Sequence, residues 1–509
     1  MQTIVPEISF ITYSLGCRTN QAELEVISDQ LSVFGFKYLG STNTKYLITN
    51  TKPNLILINT CMVTQKAERE TRKTIRHFKK LYPKAIIVVL GCAVAAKDKF
   101  KINLPEADLL ISNLEKPRAK EIIHKYCSSL STLLEINSVE NHNVTTSRLV
   151  QNNTGLARRI EDTKSEYEES GRKFIKIQDG CSNCCSFCIT THLRGEPRSE
   201  EPEKIINTIN ELTNSKIKEV ILTGINIGLY GIDLKPQTNI WSLVDRILQE
   251  TTIERLTLST VYPEMLDKLQ IINNKSQIIK NPRLTKCFHI ALQSGSQSVL
   301  NRMNRPTDLK KLLKAINEIR KIQPDFIFRA DVIAGFPDET EEEHEETLEF
   351  IRQAKICFAH VFPYSPRVGT VAYEMIQKKK WQDLPMEVKR RRAREIKLLV
   401  GKLSSKLSRG MIGKTYRTLI VREIPRHSRF NRESIQMNGD NYIDSVSRHG
   451  MTRFEGFTEN GLSVVINNLP DGKAGQQQAI NNERGTIQSV RITGYEENHL
   501  IGTILSLPI

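Results

Sequence analysis

Short apolar runs alternate with longer amphipathic stretches through the first part of the chain. The runs at residues 8–13, 55–60 and 85–90 are rich in Ile, Leu and Val, and a cysteine stands shortly after each one. Between them, residues 21–34 and 66–81 carry apolar positions at helical spacing. Strands that alternate with helices in this way predict a parallel sheet with helices packed on its faces.

The same alternation returns in the middle of the chain. Further strands are predicted at residues 174–178, 219–223, 255–259, 287–292, 326–334 and 358–362. Each run is followed by a loop with glycine, proline or polar residues. Repeated strand and helix units of this kind predict a partial β/α barrel with its site at the C-terminal ends of the strands. The predicted fold class is therefore α/β.

The C-terminal end of the chain has a different pattern. Short alternating runs between Gly, Asn and Asp turns lie at residues 415–422, 452–457, 462–466, 486–492 and 500–505. They predict a small antiparallel β-barrel, with polar insertions at 423–449 and 467–484. Residues 128–171 are polar and predict a linker. The domains predicted are thus 1–127, the linker 128–171, a barrel with a basic helical end at 172–409, and a C-terminal barrel at 410–509.

The composition is ordinary for a soluble protein, but the charge is strongly positive. Of the 509 residues, 39% are hydrophobic and 26% are charged, and the formal net charge is +16. The best membrane candidate, residues 85–96, is too short to cross a bilayer, and the N-terminus lacks a signal-peptide pattern. We therefore expect a cytoplasmic protein without a membrane partner. The charge favours a nucleic-acid partner, although a generally lysine-rich composition would also explain it.

Two basic stretches are candidates for phosphate contact. The first, residues 66–80, follows one of the predicted strands, and the second, residues 381–409, precedes the C-terminal barrel. In the second stretch we predict that Arg390, Arg391 and Arg392 bind RNA. A solvated helix face with no partner is the alternative for both stretches.

Three cysteines in one loop are the strongest chemical signal in the chain. Cys181, Cys185 and Cys188 have the spacing C-x3-C-x2-C, so their thiolates can surround one side of a compact metal centre. Soft thiolates select zinc, copper(I) or iron–sulfur clusters. Zinc normally has a fourth protein ligand, whereas three cysteines suit a 4Fe-4S cluster with one open iron. Cysteines without metal are the alternative, and Cys184 in the same loop is expected not to be a ligand.

A second set of cysteines follows the first three predicted strands. Cys17, Cys61 and Cys92 are far apart in sequence, but the C-terminal ends of parallel strands meet at one edge of a sheet. This position predicts a second three-cysteine iron–sulfur site. The alternative is three unrelated core residues, since free cysteine is often buried.

The residues around both cysteine sets resemble known families. The central loop, with Phe187 before its last cysteine, resembles the radical S-adenosylmethionine (SAM) enzymes. The segments 15–23, 58–64 and 90–93, which read LGCRTNQAE, INTCMVT and LGCA, resemble the N-terminal domain of the methylthiotransferases. The blocks HIALQSGS at 289–296, RMNR at 302–305 and GFPDET at 335–340 are similar to further motifs of that family. The family usually has a proline shortly after the last cysteine of the loop, and this chain has Thr191 in its place.

The resemblance implies two 4Fe-4S clusters and S-adenosyl-L-methionine as cofactors. The central trio would hold the cluster that cleaves SAM to a 5'-deoxyadenosyl radical, and the other trio would hold an auxiliary cluster linked to sulfur insertion. SAM would be contacted near Thr223, Gly224 and Gln293. The C-terminal barrel resembles, by position, the RNA-binding TRAM domain. His289 and His192 are candidate acids or bases, for which we favour a structural role.

The resemblance also implies an activity. The form G-C-x-x-N-Q-x-E at residues 16–23 resembles the branch that acts on N6-threonylcarbamoyladenosine at tRNA position 37, beside the anticodon. A radical would remove the hydrogen at C2, sulfur would fill the position, and a second SAM would supply the methyl group. tRNA, an electron donor and a sulfur source are the expected partners. The alternatives are the same chemistry on isopentenyladenosine or on a ribosomal-protein aspartate, and a non-catalytic iron–sulfur RNA-binding protein.

Overall fold

The computed structural model describes residues 8–41, 52–100, 103–104, 106–135, 170–270, 275–424, 453–467, 485–496 and 499–505. The chain divides into two compact units. The first contains the N-terminal residues up to Glu166 together with His192–Arg194, and the second contains the rest. Both contain parallel sheets with interleaved helices, which confirms the α/β class.

The first unit is a five-stranded parallel sheet in the order β2-β1-β3-β4-β5. Its strands are β1 (Ser9–Ser14), β2 (Lys37–Ser41), β3 (Leu55–Thr60), β4 (Ile86–Gly91) and β5 (Leu109–Ile111). Its helices are α1 (Arg18–Val33), α2 (Gln65–Leu81), α3 (Cys92–Phe100) and α4 (Ala119–Glu135). The sequence did not predict β2 and β5, which are short strands at the two edges of the sheet.

Both faces of this sheet are covered. Leu57 of β3 and Val88 of β4 pack with residues of α1 and α4, while the neighbouring Ile56 and Ile87 are also fully buried. Burial on both faces is why these strands read as continuous apolar runs. Cys127, which the sequence marked as structural, lies in this core.

The first residues of the predicted linker belong to a helix. Helix α4 continues to Glu135, so residues 128–135 are helical. Residues 136–169 of the predicted linker lie outside the described residues.

The second unit contains the six predicted strands of a partial barrel. These are β6 (Arg172–Asp179), β8 (Glu219–Gly224), β9 (Arg255–Leu258), β10 (Cys287–Gln293), β11 (Ile327–Ala334) and β12 (Phe358–Pro363), with a short antiparallel β7 (Arg198–Ser199) beside β6. They form two sheets, β7-β6-β8-β9 and β10-β11-β12. Isolated parallel bridges from Leu256 to Leu284 and from Val261 to Ile290 join the two sheets.

The helices that follow β6 in the chain are α5 (Thr190–Arg194), α6 (Pro202–Asn214), α7 (Ile240–Glu250), α8 (Pro263–Gln270), α9 (Lys275–Lys280), α10 (Gln297–Arg302), α11 (Leu309–Ile322), α12 (Glu341–Gln353), α13 (Val371–Gln377) and α14 (Met386–Arg409). The strand residues Phe288, Ile290 and Leu222 share one apolar core with α6, α7, α8, α9, α11, α12 and α14, which therefore pack on the outer side of the curved sheet. Because side chains alternate along a strand, the residues between them line the inner side of the barrel.

The C-terminal strands close into a small barrel, in the order β13-β14-β15-β17-β16. They are β13 (Thr415–Ile424), β14 (Arg453–Thr458), β15 (Ser463–Asn467), β16 (Ile487–Glu496) and β17 (His499–Ile504). The predicted antiparallel pairing holds except between β15 and β17, which run parallel. Most of both predicted insertions lies outside the described residues.

The small barrel packs directly on the partial barrel. Cys287 and Ile327, at the starts of β10 and β11, share an apolar cluster with Phe454 of the small barrel. The buried guanidinium of Arg255 donates to the carbonyl oxygens of Arg417 and Phe457, each at 2.8 Å. In the described part of the chain, no helix is both long and apolar enough to cross a membrane.

Candidate functional site

The central cysteine loop follows β6 and is closed by backbone hydrogen bonds. Gly180 has φ +72°, and a Cβ at this position would lie 2.0 Å from the carbonyl oxygen of Glu196, so only glycine fits. The N–H of Cys181 donates to the carbonyl of Gly195 at 2.9 Å. The residues after Cys188, where the family proline is missing, form the short helix α5.

Two motif blocks from later in the chain hold this loop in place. The N–H of Ser186 donates to the carbonyl of Met303 at 3.0 Å, and its hydroxyl donates to the carbonyl of Arg302 at 2.8 Å. The ring of Phe187 meets the ring of Phe336 edge-on, with centroids 6.5 Å apart. The blocks at 302–305 and 335–340 therefore support the cysteine loop.

Nitrogen donors point at the sulfur atoms of this loop. Cys181 Sγ lies 3.4 Å from the backbone nitrogen of Asn183 and 3.7 Å from the side-chain amide of Asn226. Cys188 Sγ lies 3.4 Å from the backbone nitrogen of Thr190. Such contacts stabilise negative charge on sulfur and tune the reduction potential of a bound cluster.

A buried arginine lies beside one sulfur atom of the loop. One guanidinium nitrogen of Arg305 lies 3.8 Å from Cys185 Sγ, and the other donates to the carbonyl of Ala291 at 2.9 Å. The guanidinium also lies over the ring of Tyr262, 5.2 Å from its centroid. Its Nε–H is buried and has no hydrogen-bond partner among the described residues. Sequence reasoning placed Arg305 in a motif but gave it no role.

Without a metal, the three thiols of the loop are harder to ionise than exposed thiols, which favours metal binding over free thiolate chemistry. Burial raises the pKa of the thiols of Cys181, Cys185 and Cys188 above the ordinary value. A metal removes the proton from a coordinating thiol outright, so binding would release protons. Cys184, in contrast, is exposed, and its sulfur lies 3.7 Å from the carbonyl of Ser182.

The structure brings Cys17, Cys61 and Cys92 to one edge of the first sheet. Strands β1, β3 and β4 are neighbours; Cys17 caps α1 and Cys92 opens α3. The pKa of Cys61 is raised to about 12, first by burial and then by the charges of Cys92 and Cys17. Gly16 has φ +97°, and a Cβ there would lie 2.5 Å from the Cβ of Cys61, so this glycine permits the approach.

Asn20 connects the loops that carry these cysteines. Its side-chain amide donates to the carbonyl of Leu15 at 2.7 Å and to the carbonyl of Thr60 at 2.9 Å. Its side-chain oxygen accepts from Arg194 at 2.8 Å. The asparagine of the C-x-x-N-Q-x-E motif therefore has a structural explanation, which sequence reasoning alone did not provide.

Glu23, the last residue of that motif, is the centre of a buried charge cluster. Its carboxylate accepts from the guanidinium of Arg194 at 2.7 Å and forms an ion pair with Lys116. All three side chains are at most 5% exposed. The side-chain amide of Asn113 lies 3.6 Å from Cys92 Sγ. Two cations against one carboxylate leave net positive charge beside the thiols.

Both trios offer cysteine donors only. Such a donor set fits an iron–sulfur cluster.

The predicted SAM contacts stand at the correct end of the barrel. Thr223 and Gly224 end β8, and Gln293 ends β10 with φ +70°. A Cβ on Gly224 would lie 2.9 Å from the carbonyl oxygen of Gln178, so this glycine is also required by packing. Contact of these residues with SAM stays a prediction.

The prediction of RNA contact is wrong for Arg392. Its side chain is 4% exposed and pairs with Glu339 at 2.9 Å and with Glu341 at 3.0 Å. It therefore fixes α14 to the segment that begins α12. Arg391 is exposed but paired with Glu341 and Glu395, and Arg390 is exposed.

Comparison with known proteins places the chain in a family. Residues 175–351 match the radical SAM superfamily, and residues 9–112 match uncharacterized protein family UPF0004. The threonylcarbamoyladenosine tRNA methylthiotransferase MtaB of Aquifex aeolicus (strain VF5) is 30% identical over 437 residues, which cover 86% of this chain and 96% of the relative. The chain belongs to the methylthiotransferase family of radical SAM enzymes. The family resemblance predicted from the sequence is confirmed.

Other methylthiotransferases are similarly related. The protein of the same name from Rickettsia prowazekii (strain Madrid E) is 31% identical over 75% of this chain and 80% of its own length. A tRNA-2-methylthio-N(6)-dimethylallyladenosine synthase of Clostridium botulinum (strain Okra / Type B1) is 29% identical over 81% of this chain and 85% of its own length. Membership makes this chain an enzyme that uses a 4Fe-4S cluster and SAM.

Proposed function

We propose that this methylthiotransferase modifies tRNA, replacing the hydrogen at C2 of N6-threonylcarbamoyladenosine at position 37 with a methylthio group. The observation that carries the proposal is the presence of two separate three-cysteine sites in one chain of this family. The substrate is supported by the names of the relatives from A. aeolicus and R. prowazekii. We further propose that the enzyme acts in the cytoplasm, where its tRNA substrate is found.

In this proposal the central loop holds the SAM-cleaving cluster. Cys181, Cys185 and Cys188 are the three ligands, which leaves one iron for SAM. Arg305 and Asn226 compensate negative charge at the sulfurs of this site, since both lie within 3.8 Å of a cysteine sulfur. Bound SAM and clusters would supply the radical, the sulfur and the methyl group.

The cysteines at the strand ends hold the auxiliary cluster. Cys17, Cys61 and Cys92 are its ligands, and Asn20 keeps two of their loops together through its two amide hydrogen bonds. The positive charge of Arg194 and Lys116 offsets the charge of thiolate ligands in a buried place. An electron donor and a sulfur source complete the reaction as external partners.

The RNA contact is reassigned to the second half of α14. A shallow groove on this helix is lined by Lys397, Lys402, Lys406 and Arg409 together with Leu398, Gly401 and Ser405. The four cations are exposed. Lys402, Lys406 and Arg409 recur at spacings of four and three, so they share one face of the helix, and Lys397 stands at the other margin of the groove. Such a face suits the RNA backbone, which it would bind without reading sequence.

The second basic surface, on helix α2, is a weaker candidate for RNA contact. In α2, Arg72 pairs with Glu68, Arg76 with Glu106 and Lys79 with Asp108. Much of its charge is therefore balanced within the protein, which favours the interpretation of α2 as a solvated helix face.

A charge-neutralising variant tests the RNA surface. Replacing Lys397, Lys402 and Lys406 by Gln should weaken tRNA binding and reduce the slope of log K against log salt by up to about 3, since each phosphate contact contributes about 1. The matched control replaces Lys310, Lys311 and Lys314 of α11 by Gln, which removes the same charge from another exposed face. Equal effects of both variants on the salt slope would contradict the assignment.

The substrate is tested with purified enzyme and three tRNA preparations. One carries threonylcarbamoyladenosine at position 37, one carries isopentenyladenosine and one is unmodified there. We expect methylthio product only from the first, detected by nucleoside mass spectrometry, and binding without product for the third. Faster conversion of the second tRNA would instead favour the activity named for the C. botulinum relative. Conversion of a ribosomal protein in preference to either tRNA would overturn the tRNA proposal.

A further inference from the structure

The inner side of the partial barrel carries a group of side chains to which the proposed function gives no chemical role. His289, Asp331 and His360 stand on β10, β11 and β12, three neighbouring strands. Their ligand-type atoms all lie within 4.8 Å of one another. Nε2 of His289 is 2.9 Å from Oδ1 of Asp331, and the two imidazole centroids are 5.2 Å apart. We name these three residues the lumen triad.

The strand register places the lumen triad on one side of the sheet. Asp331 lies opposite His360 in the β11–β12 pair, and His289 lies opposite Arg329, two residues before Asp331. The neighbours Phe288 and Ile290 belong to the core on the outer side, so His289 points inward. The side chains of His289 and Asp331 are 16% and 26% exposed. His360 is the most exposed of the three, so the lumen triad can be reached from solvent.

We propose that the lumen triad binds one divalent first-row transition-metal ion, separately from both cysteine sites. Two imidazoles and one carboxylate are the donor set of many zinc and non-haem iron centres. Bonds of about 2.0 to 2.2 Å to one ion place the ligand atoms at most about 4.4 Å apart. The 2.9 Å separation of His289 and Asp331 lies inside that limit. Three protein ligands leave open positions that face the barrel interior, where water or an oxygen of a substrate can bind.

One cation, Arg329, stands beside the lumen triad in the strand register, and its positive charge opposes a bound cation in part. Arg329, the residue nearest in register, donates from its guanidinium to the carbonyl of Gly461 in the C-terminal barrel. Its guanidinium also lies over the ring of Phe358, 5.0 Å from the centroid. This arginine is thus engaged towards the small barrel. With neutral imidazoles, the lumen triad carries one negative charge from Asp331, which favours a divalent ion.

The ion is tested with zinc as the probe on enzyme that holds its iron–sulfur clusters. The protein is treated with a mild chelator, its cluster absorption is checked, and zinc is titrated by calorimetry and counted by mass spectrometry. We expect about one zinc ion per chain, bound by nitrogen and oxygen donors in zinc X-ray absorption. Asp331→Asn and His360→Gln should each weaken binding by at least about tenfold, while the cluster absorption stays unchanged.

Two controls separate this site from other zinc ligands. Cys184→Ser removes an exposed thiol, and His77→Ala removes an exposed imidazole on α2; both should leave zinc binding unchanged. Sulfur in the zinc coordination shell, or equal zinc binding by the Asp331→Asn and His360→Gln variants, would overturn the proposal. So would the absence of bound zinc in the intact enzyme, which would leave the lumen triad as a hydrogen-bonded group. Circular dichroism and thermal unfolding verify that each variant is folded.

Discussion

The two three-cysteine sites differ in how the chain brings their cysteines together. The central loop contains Cys181, Cys185 and Cys188 within one short segment, so the local sequence alone fixes the spacing of these cysteines. The other site collects Cys17, Cys61 and Cys92 from the ends of separate strands, so it exists only when the first sheet is assembled. The first site should therefore depend mainly on its loop, and the second should depend on the stability of the whole unit.

The positions of the nearby cations also differ between the two sites. At the central loop, the guanidinium of Arg305 lies 3.8 Å from the sulfur of Cys185. At the strand ends the cations Arg194 and Lys116 are held by Glu23 in a buried cluster. A cation in direct contact with a cysteine sulfur changes the reduction potential of an iron–sulfur cluster. A buried group of ion pairs contributes first to the stability of the fold.

The largest expected effect separates the two sites by chemistry. Replacing Cys181, Cys185 and Cys188 by Ala should halve the iron of anaerobically reconstituted protein and abolish SAM cleavage. Replacing Cys17, Cys61 and Cys92 by Ala should also halve the iron, but should leave cleavage to 5'-deoxyadenosine intact while methylthio product is lost. Iron content and product analysis measure both variants. Full iron in the first variant, or loss of SAM cleavage in a folded second variant, would contradict the assignment.

The next prediction concerns how far the site of Cys17, Cys61 and Cys92 depends on the stability of the first unit. Glu23→Gln leaves two buried cations without their carboxylate and should lower the free energy of unfolding by about 3 to 5 kcal/mol, with loss of the auxiliary cluster. The control Glu106→Gln breaks the more exposed pair with Arg76 and should cost less than about 1 kcal/mol. Urea unfolding and iron content measure both. Similar stability of the two variants would show that the buried cluster does not support this unit.

A third prediction concerns the reduction potential of the central cluster. Reduction adds negative charge, which the cation of Arg305 stabilises. Arg305→Met should therefore lower the midpoint potential by on the order of 100 mV and slow SAM cleavage, while Arg305→Lys should retain most of the potential. A redox titration followed by electron paramagnetic resonance measures the shift. An unchanged potential in Arg305→Met would mean that this guanidinium serves packing only.

The smallest expected effect is a pH dependence in the cluster-free protein. The pKa of Cys61 is raised to about 12 in the folded state, so above about pH 9 the unfolded chain loses this proton while the folded chain keeps it. Stability should fall as pH rises from about 9 to 12, by up to about 1.4 kcal/mol per pH unit from this group. Cys61→Ser should flatten that loss in unfolding measurements, whereas Cys184→Ser, at an exposed thiol, should not.

The C-terminal barrel is not an independent domain, because it is bonded to the partial barrel. The sequence indicated a separate strand-rich domain, and the closed barrel is confirmed. Yet Arg255 of the partial barrel is buried and bonded to two carbonyls of the small barrel. Removing that barrel would also expose Cys287 and Ile327, which pack against it, to water, which is costly. Point variants on the surface are therefore better tests of RNA binding than truncation.

The sequence by itself determined the features that depend on local order. The apolar runs of β3, β4 and β8 predicted their strands, because burial on both faces demands continuous apolar residues. The loop spacing of Cys181, Cys185 and Cys188 predicted a cluster site, since one short segment presents all three ligands. The convergence of Cys17, Cys61 and Cys92 also followed, because parallel strands share one edge for their C-terminal ends.

Only the tertiary structure decided which polar side chains meet. Nothing in a basic run indicates that Arg392 is buried against Glu339 while Lys402 is exposed, because helix orientation sets that difference. The pairing of Glu23 with Arg194 joins residues far apart in the chain, and the lumen triad requires the register of three strands. Such contacts depend on packing and register, which the order of residues along one segment does not contain.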